Sequence, residues 1–376
     1  MRFSEIVGHR QALEKLRSMA DSGRVPHALM LHGPSGVGKM QAAMAFAQYL
    51  FCTDRQGGDS CGRCPACLQT AKLNNPDIRF VFPIVKKGNL DLSSDFADEW
   101  KGFLRQNPYV SPEQWLETIE AGNSRPMIYK SESEEILRLS TLSAYGSGYK
   151  IFIVWQPEKM NAEAANKLLK VVEEPFEDTL FIFVSNNPGD LLPTILSRVQ
   201  GVEFKFLPDS DVTDFLVKAG KCYEEAAALA RIAKGNMNRA LMLADETGEN
   251  VAFMEAFIGI MRAAYGRKMP DLKQAADTFA GFGREKALRF LEYIARMVRE
   301  SFISNLCCAP LESMLPAEKK FVERFGPFIH AANVEELSRQ VDRAREDISR
   351  NANQKIVWFD FLIELTRLIR TNNNIK

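Results

Sequence analysis

No run of apolar residues in this chain approaches the ~20 needed to span a bilayer. The start, Met1 to Val7, enters an amphipathic pattern without the apolar core of a secretory signal, which sets the expectation of a cytoplasmic protein. Charge of one sign is also missing: Lys+Arg and Asp+Glu both number 48, so the formal net charge is zero. The whole-chain balance therefore gives no strong sequence-independent pull toward nucleic acid, and only a local basic patch stays open. Seven cysteines in 376 residues are too few for a disulfide scaffold. What remains is ordinary for a soluble globular chain, 46% apolar and 26% charged, with a length that suggests two or three domains.

Over residues 1–207 short apolar runs alternate with helical periodicity, the pattern of a parallel sheet covered by helices. Strands are expected at 28–31, 151–155, 180–185 and 202–206. A Ser-Glu-Ser-Glu run at 131–134 reads as a capping box opening a helix through Leu142. Residues 86–126 break the rhythm and read as a surface insertion with one short helix near 112–121. From Pro208 the strand signal fades. Residues 208–247 fit three short helices, and 248–376 fit a helical bundle with apolar stripes at Leu288, Leu291, Ile294, Met297 and Val298 and from Trp358 to Ile369. The terminal run Asn372 to Asn374 is expected to fray.

Gly33-Pro34-Ser35-Gly36-Val37-Gly38-Lys39 follows a strand and precedes a helix. In that context glycines let backbone N–H groups converge on phosphate oxygens, and the lysine supplies a full charge, so Gly33, Gly38 and Lys39 are candidate nucleotide-binding residues. The groups that would hold Mg²⁺ are missing. Met40 stands where a Ser or Thr hydroxyl is needed, and a thioether is a poor ligand for a hard cation. The strand ending at Val154 runs into Trp155-Gln156 rather than a carboxylate, and Glu158 lies beyond Pro157. Without positioned metal, phosphoryl transfer loses several kcal/mol of charge stabilisation, so hydrolysis is not expected. Whether ATP or ADP still binds at Lys39 stays open.

Cys52, Cys61, Cys64 and Cys67 crowd into 16 positions among Gly57, Gly58, Gly62 and Pro65. Four thiolates and tight turns suit a closed tetrahedral zinc site with no place for a catalytic water. Iron–sulfur binding is a rival because Cys-x2-Cys-x2-Cys approaches ferredoxin spacing, though the fourth cysteine lies on the wrong side; a redox pair is a further alternative. Cys222, Cys307 and Cys308 read as packing residues. His9, His27 and His32, without convergent carboxylates, read as packing or hydrogen-bonding groups.

Taken together, Phe3 to His9, Pro26-His27-Ala28, the phosphate loop, the four cysteines, Asn75-Pro76-Asp77, Asn161 to Lys170, Glu173-Glu174-Pro175 and Leu192 to Arg198 resemble the clamp-loader subunits of bacterial DNA polymerase III. Among these, delta-prime subunits look like motors that have lost their metal-holding groups, and this chain matches them. The resemblance implies an AAA+ domain with a zinc module, a three-helix lid and a helical collar. It further implies a heteropentamer with motor subunits and a delta subunit that loads the sliding clamp onto primed DNA. Arg198, in Ser197-Arg198-Val199, matches the family's arginine finger, donated in trans to a neighbour's ATP; a surface ion pair is the alternative reading. The lid reads Gly235-Asn236-Met237-Asn238-Arg239, with Asn238 where active members carry Arg. Two other functions compete: an active ATPase motor of the same fold, and a stand-alone zinc-containing DNA-binding module.

Overall fold

The computed structural model describes residues 1–122, 124–146, 148–176, 178–244, 248–306 and 314–370. Cys307, Cys308 and the Asn372–Asn374 run lie outside them. Two compact units result: Met1–Phe215 with Lys234–Arg239, and Leu216–Ala233 with the chain from Ala240 onward.

The first unit is built on five parallel strands: β1 (Ala28–His32), β2 (Ile78–Val81), β3 (Lys150–Trp155), β4 (Thr179–Ser185) and β5 (Gln200–Glu203). Their order is β2-β3-β4-β1-β5, so β4 lies between the phosphate-loop strand and β3. Alternate side chains serve opposite faces. Leu29, Leu31, Ile151, Ile153, Leu180 and Ile182 point into one apolar layer with the helices Arg10–Asp21 and Lys39–Phe51. Met30, Phe152, Val154, Phe181 and Phe183 point into a second layer with Ala162–Glu173. Both faces are covered, so the central strands read as unbroken hydrophobic runs. This is a parallel α/β architecture with helices on both faces of the sheet.

Three expectations change. β2 escaped the sequence reading because it is a four-residue edge strand carrying the exposed Arg79. The capping box does not form: the helix spans Lys130–Ser140 with Tyr129 as N-cap, and Glu132 and Ser133 are buried within it. Glu134 instead pairs with Lys167 at 2.6 Å. The 86–126 segment is no surface appendage. It holds a second helix, Ala97–Gln106, beside Pro112–Thr118, and Trp100, Phe103 and Trp115 are each 1% exposed. Trp100 stacks on Phe82 at 4.2 Å and meets Trp115 and Trp155 at about 5 Å, while Trp115 Nε1 donates to the Pro83 carbonyl at 2.7 Å. Aromatic burial of this size makes the segment part of the core.

Three helices follow, Asp209–Lys218, Tyr223–Ala233 and Met237–Ala244. In the second unit, six α-helices among the described residues from Glu249 to Leu368 enclose one apolar core that contains Leu291, Ile294, Met297, Trp358, Phe361 and Leu365; Leu288 packs at its margin. Arg296 and Glu318 form a two-pronged ion pair inside it, at 2.9 and 2.5 Å, and Glu318 also accepts the Leu315 N–H. Among the described residues no helix is long and apolar enough to cross a membrane.

Two consequences are measurable. Glu318→Ala removes the two-pronged carboxylate from a buried guanidinium and should cost about 3–5 kcal/mol in urea unfolding. Glu132 is buried against the Ser93 N–H at 2.6 Å, and burial, with Glu135 and Asp95 nearby, raises its carboxyl to about 7. A raised folded-state value means this group's stabilisation is complete below its ordinary 4.5 and is lost as pH climbs through 7. Thermal melts between pH 5 and 8 should therefore fall less steeply for Glu132→Gln than for the wild type.

Candidate phosphate loop, metal centre and arginine

β1 delivers the chain into the loop 33–39, which turns through left-handed or extended positive φ at Gly33 (139°), Gly36 (73°) and Gly38 (102°) before the helix Lys39–Phe51 begins. Glycine is required at two of these for space as well as for angle. A Cβ on Gly33 would collide with the Phe204 carbonyl, and one on Gly36 with the Asn236 side chain. His9 braces the loop from outside, its Nε2 2.8 Å from the Val37 carbonyl and its ring packed on Phe204, the hydrogen-bonding role read for it.

Lys39 is 4% exposed and turned onto its own loop. Its ammonium donates to the carbonyls of Gly33 at 2.7 Å and Pro34, and to Asn186 Oδ1 at 2.9 Å, so all three N–H bonds are used. Burial lowers its pKa to about 7, against the opposing pull of Glu158. Met40 is packed in the core, as are Trp155 and Gln156 at the end of β3. Glu158, just beyond Pro157, lies near the loop without standing at the end of β3. On the turn Pro157–Lys159 its Oε1 accepts the N–H groups of Asn186 at 3.0 Å and Asn187 at 3.4 Å. The carboxylate thus shapes the Asn186 segment and acts on Lys39 through its charge. Asn187 turns away to Asp190 at 2.7 Å.

The cysteine cluster assembles as its spacing suggests. Cys52 ends the phosphate-loop helix, Cys64 precedes the helix Pro65–Ala71, and Cys67 lies within that helix. All four Sγ atoms lie within 4.8 Å of one another. A tetrahedral ion with ~2.3 Å bonds to sulfur needs edges of ~3.8 Å, so the set fits one metal ion. The Cys61 N–H points at Cys52 Sγ (3.2 Å) and the Cys64 N–H at Cys61 Sγ (3.3 Å), the outer bonds that orient and stabilise thiolates. Burial pushes the Cys67 thiol up, helped by the neighbouring sulfurs. At Cys64, burial is outweighed by backbone donors that bring it to about 6. Sulfurs this close cannot all ionise without a cation among them. Cys222 is exposed, not the packing residue the sequence suggested.

The same loop holds the chain's beginning. Asp59 accepts the N–H groups of Phe3 at 3.0 Å and Ser4 at 2.9 Å, and burial of that carboxyl is outweighed by these bonds, which keep it below the usual range.

Arg198 is 38% exposed and fixed at three points: Glu173 at 2.9 Å, the Thr194 carbonyl at 2.9 Å and Ser197 Oγ at 3.1 Å. Glu173 closes the helix Ala162–Glu173, so two family motifs distant in sequence meet in one ion pair. This pairing was not visible from the sequence. Arg198 stays on the surface. Asn238 is buried and Arg239 is held by its backbone N–H to Asn236 Oδ1 at 3.0 Å.

With the site described, comparison with known proteins is decisive on family. A family model described as DNA polymerase III, delta subunit, matches residues 8–208, more than half of the chain. The chain belongs to this family. It is 26% identical over 246 residues to the DNA polymerase III subunit delta-prime of Bacillus subtilis, covering 65% of this chain and 61% of that one. It is 28% identical over 227 residues to the subunit gamma/tau of Mycobacterium tuberculosis, covering 60% of this chain and 32% of the relative. The chain thus spans about a third to three-fifths of these relatives' length. A solved gamma-subunit-related protein of DNA polymerase III from Thermotoga maritima aligns over 96% of this chain and all of that one, at 14% identity and a TM-score of 0.44.

Removal of metal should be felt away from the sulfurs. After chelation, or in Cys64→Ser, amide exchange at Phe3 and Ser4 should speed up by about tenfold or more because the Asp59 turn loses its frame. Exchange at these amides that does not change with metal would show that the two loops are independent.

Proposed function

We propose that this chain is a non-hydrolysing, delta-prime-like subunit of the DNA polymerase III clamp loader, acting in the cytoplasm. It joins motor subunits and a delta subunit in a heteropentamer that loads the sliding clamp onto primed DNA. The observation that carries this reading is the phosphate loop itself: its lysine is spent on the loop's own carbonyls and on Asn186, and Met40 is buried where a metal-binding hydroxyl would be required. A site without a grip on Mg²⁺ cannot neutralise charge on a transferring phosphoryl group.

In this reading the useful catalytic group faces outward. Arg198 serves a neighbouring subunit as an arginine finger, and Glu173, Thr194 and Ser197 hold its guanidinium in one orientation, which lessens the entropy lost on engaging a phosphate. The four cysteines hold a structural zinc, since four thiolates in closed tetrahedral array leave no open coordination position. The helices of residues 208–247 are the lid, and the bundle of 248–376 is the collar.

Reconstitution with candidate motor and delta subunits tests the role. Arg198→Ala should leave the assembly's mass unchanged and cut its ATPase by about tenfold or more; unchanged turnover would reject the finger. The chain alone should hydrolyse no ATP above a Lys39→Ala background, and elemental analysis should find one zinc per chain.

A further inference from the structure

β5 ends one side of the sheet and pairs only with β1. In a strand, successive residues turn their main-chain groups to opposite sides. The Phe204 N–H goes to the His32 carbonyl at 2.8 Å, so Val202 and Phe204 serve β1 while Gly201, Glu203 and Lys205 turn their groups outward. Lys15 Nζ takes the Gly201 carbonyl at 2.9 Å. Among the described residues nothing bonds the N–H or C=O of Glu203 or Lys205. Beside this open edge lies a groove of about 430 Å³, within the size range of ligand clefts. The first two turns of the helix Arg10–Asp21 form one wall, and Val202 to Pro208 form the other. Three cations line it, Arg10, Lys15 and Lys205, against one carboxylate, Glu203. Among the described residues neither Arg10 nor Lys15 has an acidic partner, and Lys205 approaches Glu203 only to 3.9 Å. Phe206, also in the groove, is 59% exposed.

We infer that this groove docks an extended, acidic segment of a partner protein, which adds to β5 as a further strand. The open edge selects a peptide. Its free groups alternate N–H and C=O, and a peptide backbone offers an acceptor and a donor at every second residue to meet them. A phosphodiester backbone offers acceptors alone and would leave the Glu203 and Lys205 carbonyls bare. The charge of the groove selects the side chains. Lysines on an edge strand keep off a neutral strand, which would have to bury them unpaired. A strand with carboxylates on one face instead meets Arg10, Lys15 and Lys205, and an apolar side chain can cover the Phe206 ring. The docking surface uses neither the phosphate loop nor Arg198, so it stands or falls apart from the clamp-loader reading.

The probe is a fluorescein-labelled peptide of alternating Glu and Val, about eight residues long, titrated into the full chain at low salt with anisotropy as the readout. Binding should saturate, and the peptide should slow amide exchange at Glu203 and Lys205. The charge-reversed double variant Lys15→Glu/Lys205→Glu should weaken binding by about tenfold or more. Two N-methylated forms of the peptide separate strand addition from charge attraction. All Glu amides point to one edge of the added strand and all Val amides to the other, so methylation of one set should abolish binding and methylation of the other should spare it. Equal behaviour of the two methylated forms, no saturable binding, or unchanged exchange at Glu203 and Lys205 overturns the inference. So does an oligothymidylate of equal charge that displaces the peptide, which would assign the groove to nucleic acid. Should the double variant not fold, the methylated peptides and the exchange data on the wild type decide.

Discussion

A buried ammonium must be fully hydrogen-bonded or give up its proton, and in this chain that constraint falls on Lys39. It is met locally, by two carbonyls of the loop and one asparagine oxygen. Those three bonds tie β1, the loop and the Asn186 segment at the end of β4 into one piece. The carboxylate of Glu158 adds a fourth element from the end of β3 by holding the amides of Asn186 and Asn187. Groups that would cradle a phosphate in a working motor thus form the rigid centre of the first unit. The arrangement gives the lysine a role in the fold itself, since its bonds hold the loop to the end of β4.

The sequence carried much of this, for physical reasons that differ by element. β1, β3 and β4 were readable because strands buried on both faces must be apolar throughout. The phosphate loop was readable because glycine spacing is dictated by backbone angles and close approach. The cysteine cluster was readable because a tetrahedral ion restricts both residue type and spacing. β2 was not, since an edge strand of four residues needs only Ile78 and Val81 inside. The helix over 97–106 was hidden by a segment rich in polar residues, whose three anchors, Trp100, Phe103 and Leu104, mean little until Phe82 and Trp155 are seen beneath them.

The partners of the functional side chains were the least legible part. Nothing near Arg198 announces Glu173, 25 positions earlier, and nothing near Asn238 announces the Tyr109 carbonyl that its side chain bonds. Such pairings are set by tertiary geometry, and local periodicity carries no information about them. The Glu158 case shows the same from the other side. Proline at 157 does end the strand, yet the tight turn that follows brings the carboxylate back rather than away.

The placement of the four tryptophans has an optical consequence. Trp100, Trp115 and Trp155 share one aromatic cluster in the first unit, with ring centres about 5 Å apart, while Trp358 is buried alone of its kind in the second. Indoles that close exchange excitation, so the cluster emits as a coupled group and the solitary ring as an independent one. A chain whose single remaining indole is Trp358 would report the helical bundle by itself. The difference spectrum from the intact protein would report the nucleotide-fold unit, giving each half its own intrinsic dye.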